Sequence, residues 1–394
     1  MRIAHLTDLH LTDGPRLAEQ AEELGRIAAT MIAVRPHLIA LTGDFYGHTV
    51  PHRSSVAERR VLFGFVARLA RALPETRIIV VYGNHDFPGD LEPLAHLGAD
   101  GQVTVHDRAD AVIVGKCEVL ILPFVTKAGI LSMLGPDAGG LADLRAATQR
   151  AVAGLLGLWA ARGRAPGCTR RVLLGHVQIS GSKLSGGEVL VTNEPEVTVA
   201  DLQALNLDAG MIGHIHVQQE AAPRVWFGGS PWSSDYGEHD PKGWMLWCFG
   251  ESVVNLAYSE VVGDYGDATA YRIASRAPRL LTLRYAWDGA AWAKGPNAAA
   301  LAACAGHHVR AVVRYRADQR ASVPELAPPP GALSWRVDAD VIPTERVRAP
   351  EVADAPDLGA KISAYWRTLA TPPTEAEQAA ALALLPDLES SCAP

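Results

Sequence analysis

The chain has 394 residues, 48% of them apolar, and a formal net charge of -7 at pH 7. That length accommodates two or three domains with one large core, and no apolar run approaches the roughly 20 residues that a membrane span needs, so the sequence reads as that of a soluble protein. The acidic balance does not point to a nucleic-acid binder, although a whole-chain sum hides local patches and a site that binds cations reverses its own sign. Arginine outnumbers lysine thirty to six, which reads as a compositional bias before it reads as phosphate binding. Five scattered cysteines, Cys117, Cys168, Cys248, Cys304 and Cys392, have no paired spacing; they fit a reducing compartment and no zinc ribbon. The opening Met1 to Leu6 runs straight into a strand without a charged leader or cleavage site, so no secretory signal is expected and a cytoplasmic location is.

Short β-rich runs are predicted at Ile3 to Leu6, His37 to Leu41, Arg77 to Val81, Val112 to Val114, Val119 to Leu122 and Val172 to Leu174. Between them, apolar residues at helical period mark Leu17 to Met31 and Val61 to Ala72, and a third helix is expected from about Leu141 to Ala161. Later runs at Ala209 to Ile212, Arg224 to Gly228, Gly243 to Phe249 and Ser252 to Ser259 have hairpin-like spacing. The predicted fold class is α/β, two sheets flanked by helices. Composition changes near Val262 to Gly266, after which Arg279 to Tyr285 and Val309 to Arg316 alternate like half-exposed strands around an alanine-rich helix. A main α/β body over 1–262, a small α+β unit over 263–345 and C-terminal helices over 346–394 are expected. In the last segment Leu358, Ile362, Tyr365, Trp366 and Leu369 share a helical face, and Thr374 with Glu377 makes a capping box.

Five polar clusters, each directly after an apolar run, carry the chemistry: Asp8-Leu9-His10, Gly43-Asp44, Gly83-Asn84-His85-Asp86, Gly175-His176 and Gly213-His214-Ile215-His216. Carboxylate, amide oxygen and imidazole are the ligand set of hard and borderline divalent cations, and a pair of such ions needs a bridging carboxylate. Asp8 and His10 point toward one ion. Asp44, with two oxygens, is the natural bridge. Asn84, His176 and His214 serve the second ion, and His216 returns to the first. Three or four protein ligands per ion leave positions for water and substrate, as a catalytic centre requires. His85 is not needed for coordination, and steadied by Asp86 it can protonate a leaving oxygen or stabilise charge on phosphoryl oxygens.

These clusters resemble the calcineurin-like metallophosphoesterase pattern of Asp-Xaa-His, Gly-Asp, Gly-Asn-His-Asp, Gly-His and Gly-His-Xaa-His. The resemblance implies a four-layer α/β/β/α sandwich with a capping domain and terminal helices. It also implies a first metal on Asp8, His10, Asp44 and His216, a second on Asp44, Asn84, His176 and His214, and His85 as the catalytic acid. Gly228-Gly229-Ser230-Pro231, Asp235-Tyr236-Gly237-Glu238, Lys242-Gly243 and Ser185-Gly186-Gly187-Glu188 resemble the SbcD-type nuclease branch in particular. That branch implies two manganese ions, with iron or zinc as substitutes, DNA as substrate, a coiled-coil SbcC-type ATPase partner and a homodimer. The likeness is close over Met1 to Phe249 and weaker beyond. Where the branch has an aspartate or histidine three positions after Gly-Asp, this chain places His48 at the fourth.

Candidate substrate contacts are His48, Arg53, Ser230, Arg314 and Arg316, the last two on one strand face. The expected function is a metal-dependent DNA exonuclease and endonuclease in double-strand-break repair or recombination. A phosphodiesterase or phosphatase for small substrates such as cyclic nucleotides uses the same ligands, and a DNA-end-binding scaffold subunit is the non-enzymatic alternative.

Overall fold

The structure is a computed structural model, and it describes residues 1–47, 54–125, 141–185, 188, 194–250, 256–343 and 349–385. In chain order the strands of its main body are β1 (Arg2–Leu6), β2 (Leu38–Thr42), β3 (Arg77–Val81), β4 (Val103–His106), β5 (Asp110–Val114), β6 (Cys117–Leu122), β7 (Arg170–His176), β8 (Gln178–Ile179), β9 (Glu196–Val197), β10 (Ala209–Gly213), β11 (Gln219–Ala222), β12 (Val225–Phe227), β13 (Gly243–Phe249), β14 (Ser259–Asp264) and β15 (Ala268–Ala274). Seven of them form one sheet in the order β14-β15-β13-β1-β2-β3-β4, six form a second in the order β11-β12-β10-β7-β6-β5, and β8 pairs with β9.

Side chains on a strand alternate between its two faces, and here both faces are apolar because both are covered. Ile3, Leu38, Ala40, Ile79 and Val81 of the first sheet pack with Val119, Ile121, Val172, Leu174, Ala209 and Met211 of the second, making the core between the sheets. The intervening residues Ala4, Leu6, Ile39, Leu41, Ile78 and Val80 face outward onto α1 (Leu17–Val34) and α2 (Val56–Ala72). On the far side Leu120, Leu122, Leu173 and Ile212 pack against Val152, Leu156 and Trp159 of the helix Leu141–Arg162. The result is the helix, sheet, sheet, helix sandwich expected from the sequence. Helix α2 begins on a capping box, Ser55 accepting from the Glu58 N–H while Glu58 accepts from the Ser55 N–H.

Two sequence expectations change. The runs from Ala209 to Phe249 do not form successive hairpins: β10 pairs with β12 in parallel, and β13 leaves for the first sheet, where it lies antiparallel to β1 with Ile3 opposite Trp247. The hairpin β14–β15 turns at Tyr265-Gly266 and lines the edge of that same sheet, so the composition change near Val262 falls inside a strand.

The chain separates into two compact units, one made of 1–283 with 296–311 and 327–336, the other of 284–295 with 312–326 and 337–394. A four-stranded sheet is formed by β16 (Leu280–Trp287), β17 (Trp292–Lys294), β18 (His308–Arg316) and β19 (Ser334–Ile342) in the order β17-β16-β18-β19. In the second unit Trp292 meets Trp287 edge-on at 5.1 Å between ring centroids, and the Trp287 indole donates to Ser322 Oγ at 3.1 Å. Helices follow at Pro350–Ala353, Leu358–Arg367 and Glu375–Leu382, the last on the Thr374–Glu377 capping box. Among the described residues no helix is long and apolar enough to cross a membrane.

Candidate metal centre

Strands β1, β2 and β3 run parallel as neighbours, as do β7 and β10, and each of the five polar clusters follows or closes the carboxyl end of one of them. Open α/β sheets gather sites at this edge. The loops stay paired past the strands, since the Asp8 N–H donates to Gly43 O and the His10 N–H to Asp44 O, both at 3.0 Å. His176 ties the two sheets together through Nδ1, 2.7 Å from Thr42 O. Asp8, His10, Asp44 and His214 all have positive φ, at 52°, 42°, 55° and 98°. Such backbone costs about 1–3 kcal/mol per residue and persists where surrounding structure imposes it, commonly at functional sites.

Asp44 sits at the centre. Its Oδ1 lies 3.3 Å from His176 Nε2 and its Oδ2 3.6 Å from His10 Nε2, one oxygen toward each group of donors. On the His10 side, His216 Nε2 approaches His10 Nε2 to 2.9 Å, and Asp8 has a carboxylate oxygen within 4.8 Å of both. On the His176 side, Asn84 Oδ1 is 3.0 Å from both His176 Nε2 and His214 Nδ1. Asp8 also accepts from the His214 N–H at 3.0 Å, which links the two sides. His85 stands beside the first group. Its N–H donates to Asp44 Oδ1 at 2.9 Å, its ring meets that of His10 edge-on at 4.9 Å, and it offers a ring nitrogen within 4.8 Å of His10 and Asp44 donor atoms.

The charges follow from burial and from these neighbours. Burial brings the His10 imidazole down to about 3, which keeps it neutral and able to donate an electron pair. Burial pulls His176 the same way, but the Asp44 carboxylate outweighs it and lifts that imidazole to about 9. Burial would raise Asp44 itself; His176 and His10 reverse this and hold it well below the usual carboxylate range.

A family model described as calcineurin-like phosphoesterase matches residues 1–218. The chain belongs to the calcineurin-like phosphoesterases. It is similar to the D component of the nuclease SbcCD of Rhodobacter capsulatus, at 27% identity over 261 residues, which is 59% of this chain and 62% of that protein. The match therefore spans less than two thirds of the relative's length. Among solved structures it is similar to a dimetal phosphatase from Danio rerio (15% identity, 57% of this chain and 85% of that chain, TM-score 0.35) and to a phosphoesterase from E. coli (13% identity, 50% and 79%, TM-score 0.23).

The donor set fits the divalent cations on which a phosphoesterase of this family depends. His176 Nδ1 faces a carbonyl and so carries its proton there, leaving Nε2 to face the oxygens of Asp44 and Asn84. His216 Nδ1 faces Glu238 Oε1 at 2.7 Å, leaving its Nε2 to face His10. Oxygens and ring nitrogens converge this way around positive charge, which a proton on His176 supplies in the metal-free chain and bound cations would supply in its place; imidazole fixed by a carboxylate or carbonyl on its other nitrogen is the usual form of a metal ligand.

The roles of the groups that support the ligands of this phosphoesterase were not assigned from the sequence. Glu238 holds His216, and Lys242 in turn reaches Glu238 Oε2 at 2.8 Å and Asp240 Oδ2 at 2.9 Å. Glu194 Oε2 lies 3.2 Å from His214 Nε2. The Glu238 signal was present in the Tyr236-Gly237-Glu238 stretch, but nothing in its spacing says which histidine it serves. Ser230, expected as a substrate contact, is instead buried, with its N–H donating to His216 O at 3.1 Å and its Oγ accepting from Lys242 Nζ at 3.0 Å; it braces the His216 loop. Asp86 accepts from the N–H groups of Asp44, Phe45 and Gly83 at 2.8–2.9 Å, so its visible work is to hold the loops that present Asp44 and Asn84. Arg314 and Arg316 are exposed and pair with Asp340 at 3.8 Å and Asp318 at 3.1 Å. His48 and Arg53 lie outside the described residues.

Two glycines are fixed by close approach. A Cβ at Gly43, where φ is +87°, would stand 2.4 Å from His176 Nδ1, and one at Gly83 would stand 2.2 Å from Asp44 Oδ1 and 2.3 Å from its N. Gly83→Ala must displace Asp44, so it is expected to cost about 1–3 kcal/mol of stability and to weaken divalent-metal binding roughly tenfold or more. Urea denaturation and metal titration check both effects; unchanged metal affinity would count against the placement of Asp44.

Proposed function

We propose that this phosphoesterase is a two-manganese DNA nuclease of the SbcD type, cutting phosphodiester bonds in double-strand-break repair or recombination. The observation that carries the reading is the division of the Asp44 carboxylate between two donor groups, 3.3 Å from His176 and 3.6 Å from His10. In this reading Asp8, His10, Asp44 and His216 hold one ion, and Asp44, Asn84, His176 and His214 the other. Divalent cations bound there supply Lewis acidity toward phosphate oxygens and an acidified water. His85, beside His10 and at the wall of the adjoining cleft, holds a proton on its ring for the leaving oxygen. Glu238 and Thr42 O fix which nitrogen of His216 and of His176 bears hydrogen, so that the other faces the metals.

The nuclease assignment is supported by the similarity to an SbcCD nuclease component and by the stretch from Gly228 to Gly243. The segment 263–345 is assigned to DNA contact, with Arg314 and Arg316 as its candidates. The segment 346–394 is assigned to docking a coiled-coil ATPase: Leu358, Tyr365 and Leu384 are exposed apolar side chains there. A homodimer in the cytoplasm completes the proposal. The donors suit manganese, iron and zinc alike, and manganese is the ion of the SbcD reading.

A second reading, hydrolysis of a small phosphodiester, is favoured by the size of the cleft beside His85, about 460 Å³, within the roughly 300–1,000 Å³ of small-ligand sites. The two separate in one assay. With manganese, the full chain is expected to digest linear duplex DNA and also to hydrolyse bis(4-nitrophenyl) phosphate. Hydrolysis of the small ester and of a cyclic nucleotide, with DNA untouched, would replace the first reading by the second.

A further inference from the structure

The cleft that begins at His10, His85 and His216 continues along Thr12, Asp13 and Arg16. Among the described residues lining it, Arg16 is the one permanent cation. Its position is built rather than incidental. Arg16 Nη1 donates to Ser233 O at 2.9 Å, on the loop that also carries Glu238, and Glu19 Oε2 lies 3.7 Å from its Nε. Glu19 is engaged elsewhere, with its carboxylate oxygens 2.9–3.0 Å from His308 Nε2. Arg16 Nε is buried without a hydrogen-bond partner among the described residues, and the side chain is 24% exposed. The guanidinium has five N–H donors in a planar fork, and the Ser233 carbonyl takes one of them.

We propose that Arg16 binds a second phosphate of the substrate, on the leaving-group side of the scissile bond. The inference rests on the two-metal phosphodiesterase reading and adds a substrate class: a phosphodiester chain with at least two phosphates. The scissile phosphate lies at the donor cluster, the leaving group enters the cleft past His85, and the next phosphate along the chain meets the fork of Arg16, which suits phosphate bidentately. A cyclic nucleotide or a simple diester has one phosphate and gives Arg16 nothing to hold. Asp13, exposed in the same wall, acts in the opposite sense by repelling the incoming chain.

The test compares the full manganese-loaded chain on a single-stranded decanucleotide and on bis(4-nitrophenyl) phosphate. Arg16→Ala is expected to lower the ratio of kcat/KM values, oligonucleotide over ester, by roughly tenfold or more, as for loss of a charge-assisted hydrogen bond, mainly through KM. The slope of log KM against log salt for the oligonucleotide falls by about 0.7, the share of one phosphate contact on a single strand. Asp13→Asn moves KM for the oligonucleotide the other way. If Arg16→Ala melts early, Arg16→Lys decides, since it keeps the charge and loses the fork: the ratio then falls severalfold. An unchanged ratio in both arginine variants, or a wild type that hydrolyses the ester but no oligonucleotide, overturns the proposal. A wild type that hydrolyses neither substrate overturns the phosphodiesterase reading beneath it.

Discussion

Asp44→Ala is expected to lower kcat on bis(4-nitrophenyl) phosphate by roughly a thousandfold or more, the loss of several kcal/mol of transition-state stabilisation. Three observations make this the largest single effect. The two carboxylate oxygens face His176 and His10 separately, so one substitution weakens both donor groups. The Asp44 backbone is held independently of its side chain, by Asp86 on its N–H and by the His10 N–H on its carbonyl, so the loop has reason to keep its course. And Asp44 is the carboxylate that outweighs burial at His176. Metal titration of the variant is expected to show fewer than two ions per chain at concentrations that saturate the wild type. Activity within tenfold of wild type would remove Asp44 from the centre of the account.

His85→Ala is expected to act differently, lowering kcat by about 10²- to 10⁴-fold, the range for loss of a general acid, while two ions still bind. The difference arises because His85 stands beside the donor cluster through its ring and backbone, with its N–H on Asp44 and its ring against His10, without being required by either group of donors. The leaving group supplies the sharper check. 4-Nitrophenolate departs readily without a proton, whereas the alkoxide of a nucleotide does not. The loss on an oligonucleotide should therefore exceed the loss on bis(4-nitrophenyl) phosphate by at least about tenfold. Equal losses on both substrates would mean that His85 orients the phosphate and donates no proton to the leaving oxygen.

Much of this was legible in the amino-acid order, for a physical reason. A strand buried on both faces is a short apolar run, and the next stretch of chain in an α/β sheet is the loop at its carboxyl end; Leu38–Thr42 followed by Gly43-Asp44 states both facts in seven residues. Helix periods and the capping box at Thr374 are equally local signals. Pairing partners are not. Gly243–Phe249 is buried at every position, and a run apolar on both faces carries no alternation to say which sheet it joins; the expectation of hairpins over 209–259 therefore missed its insertion beside β1. The same limit applies to the site. Asp8, His10, His176 and His216 belong to recurring short patterns, whereas Glu238 reaches His216 and Arg16 reaches the cleft by approaches that depend on the finished fold. Asp86 shows the converse, since its adjacency to His85 suggested a partner for the imidazole and the structure directs its carboxylate to three backbone N–H groups.

The most direct test of the whole account is the anomalous diffraction of crystals grown with manganese. Two peaks are expected, one against Asp8, His10 and His216 and one against Asn84, His176 and His214, with Asp44 between them. A single peak, or manganese bound away from Asp44, would contradict it.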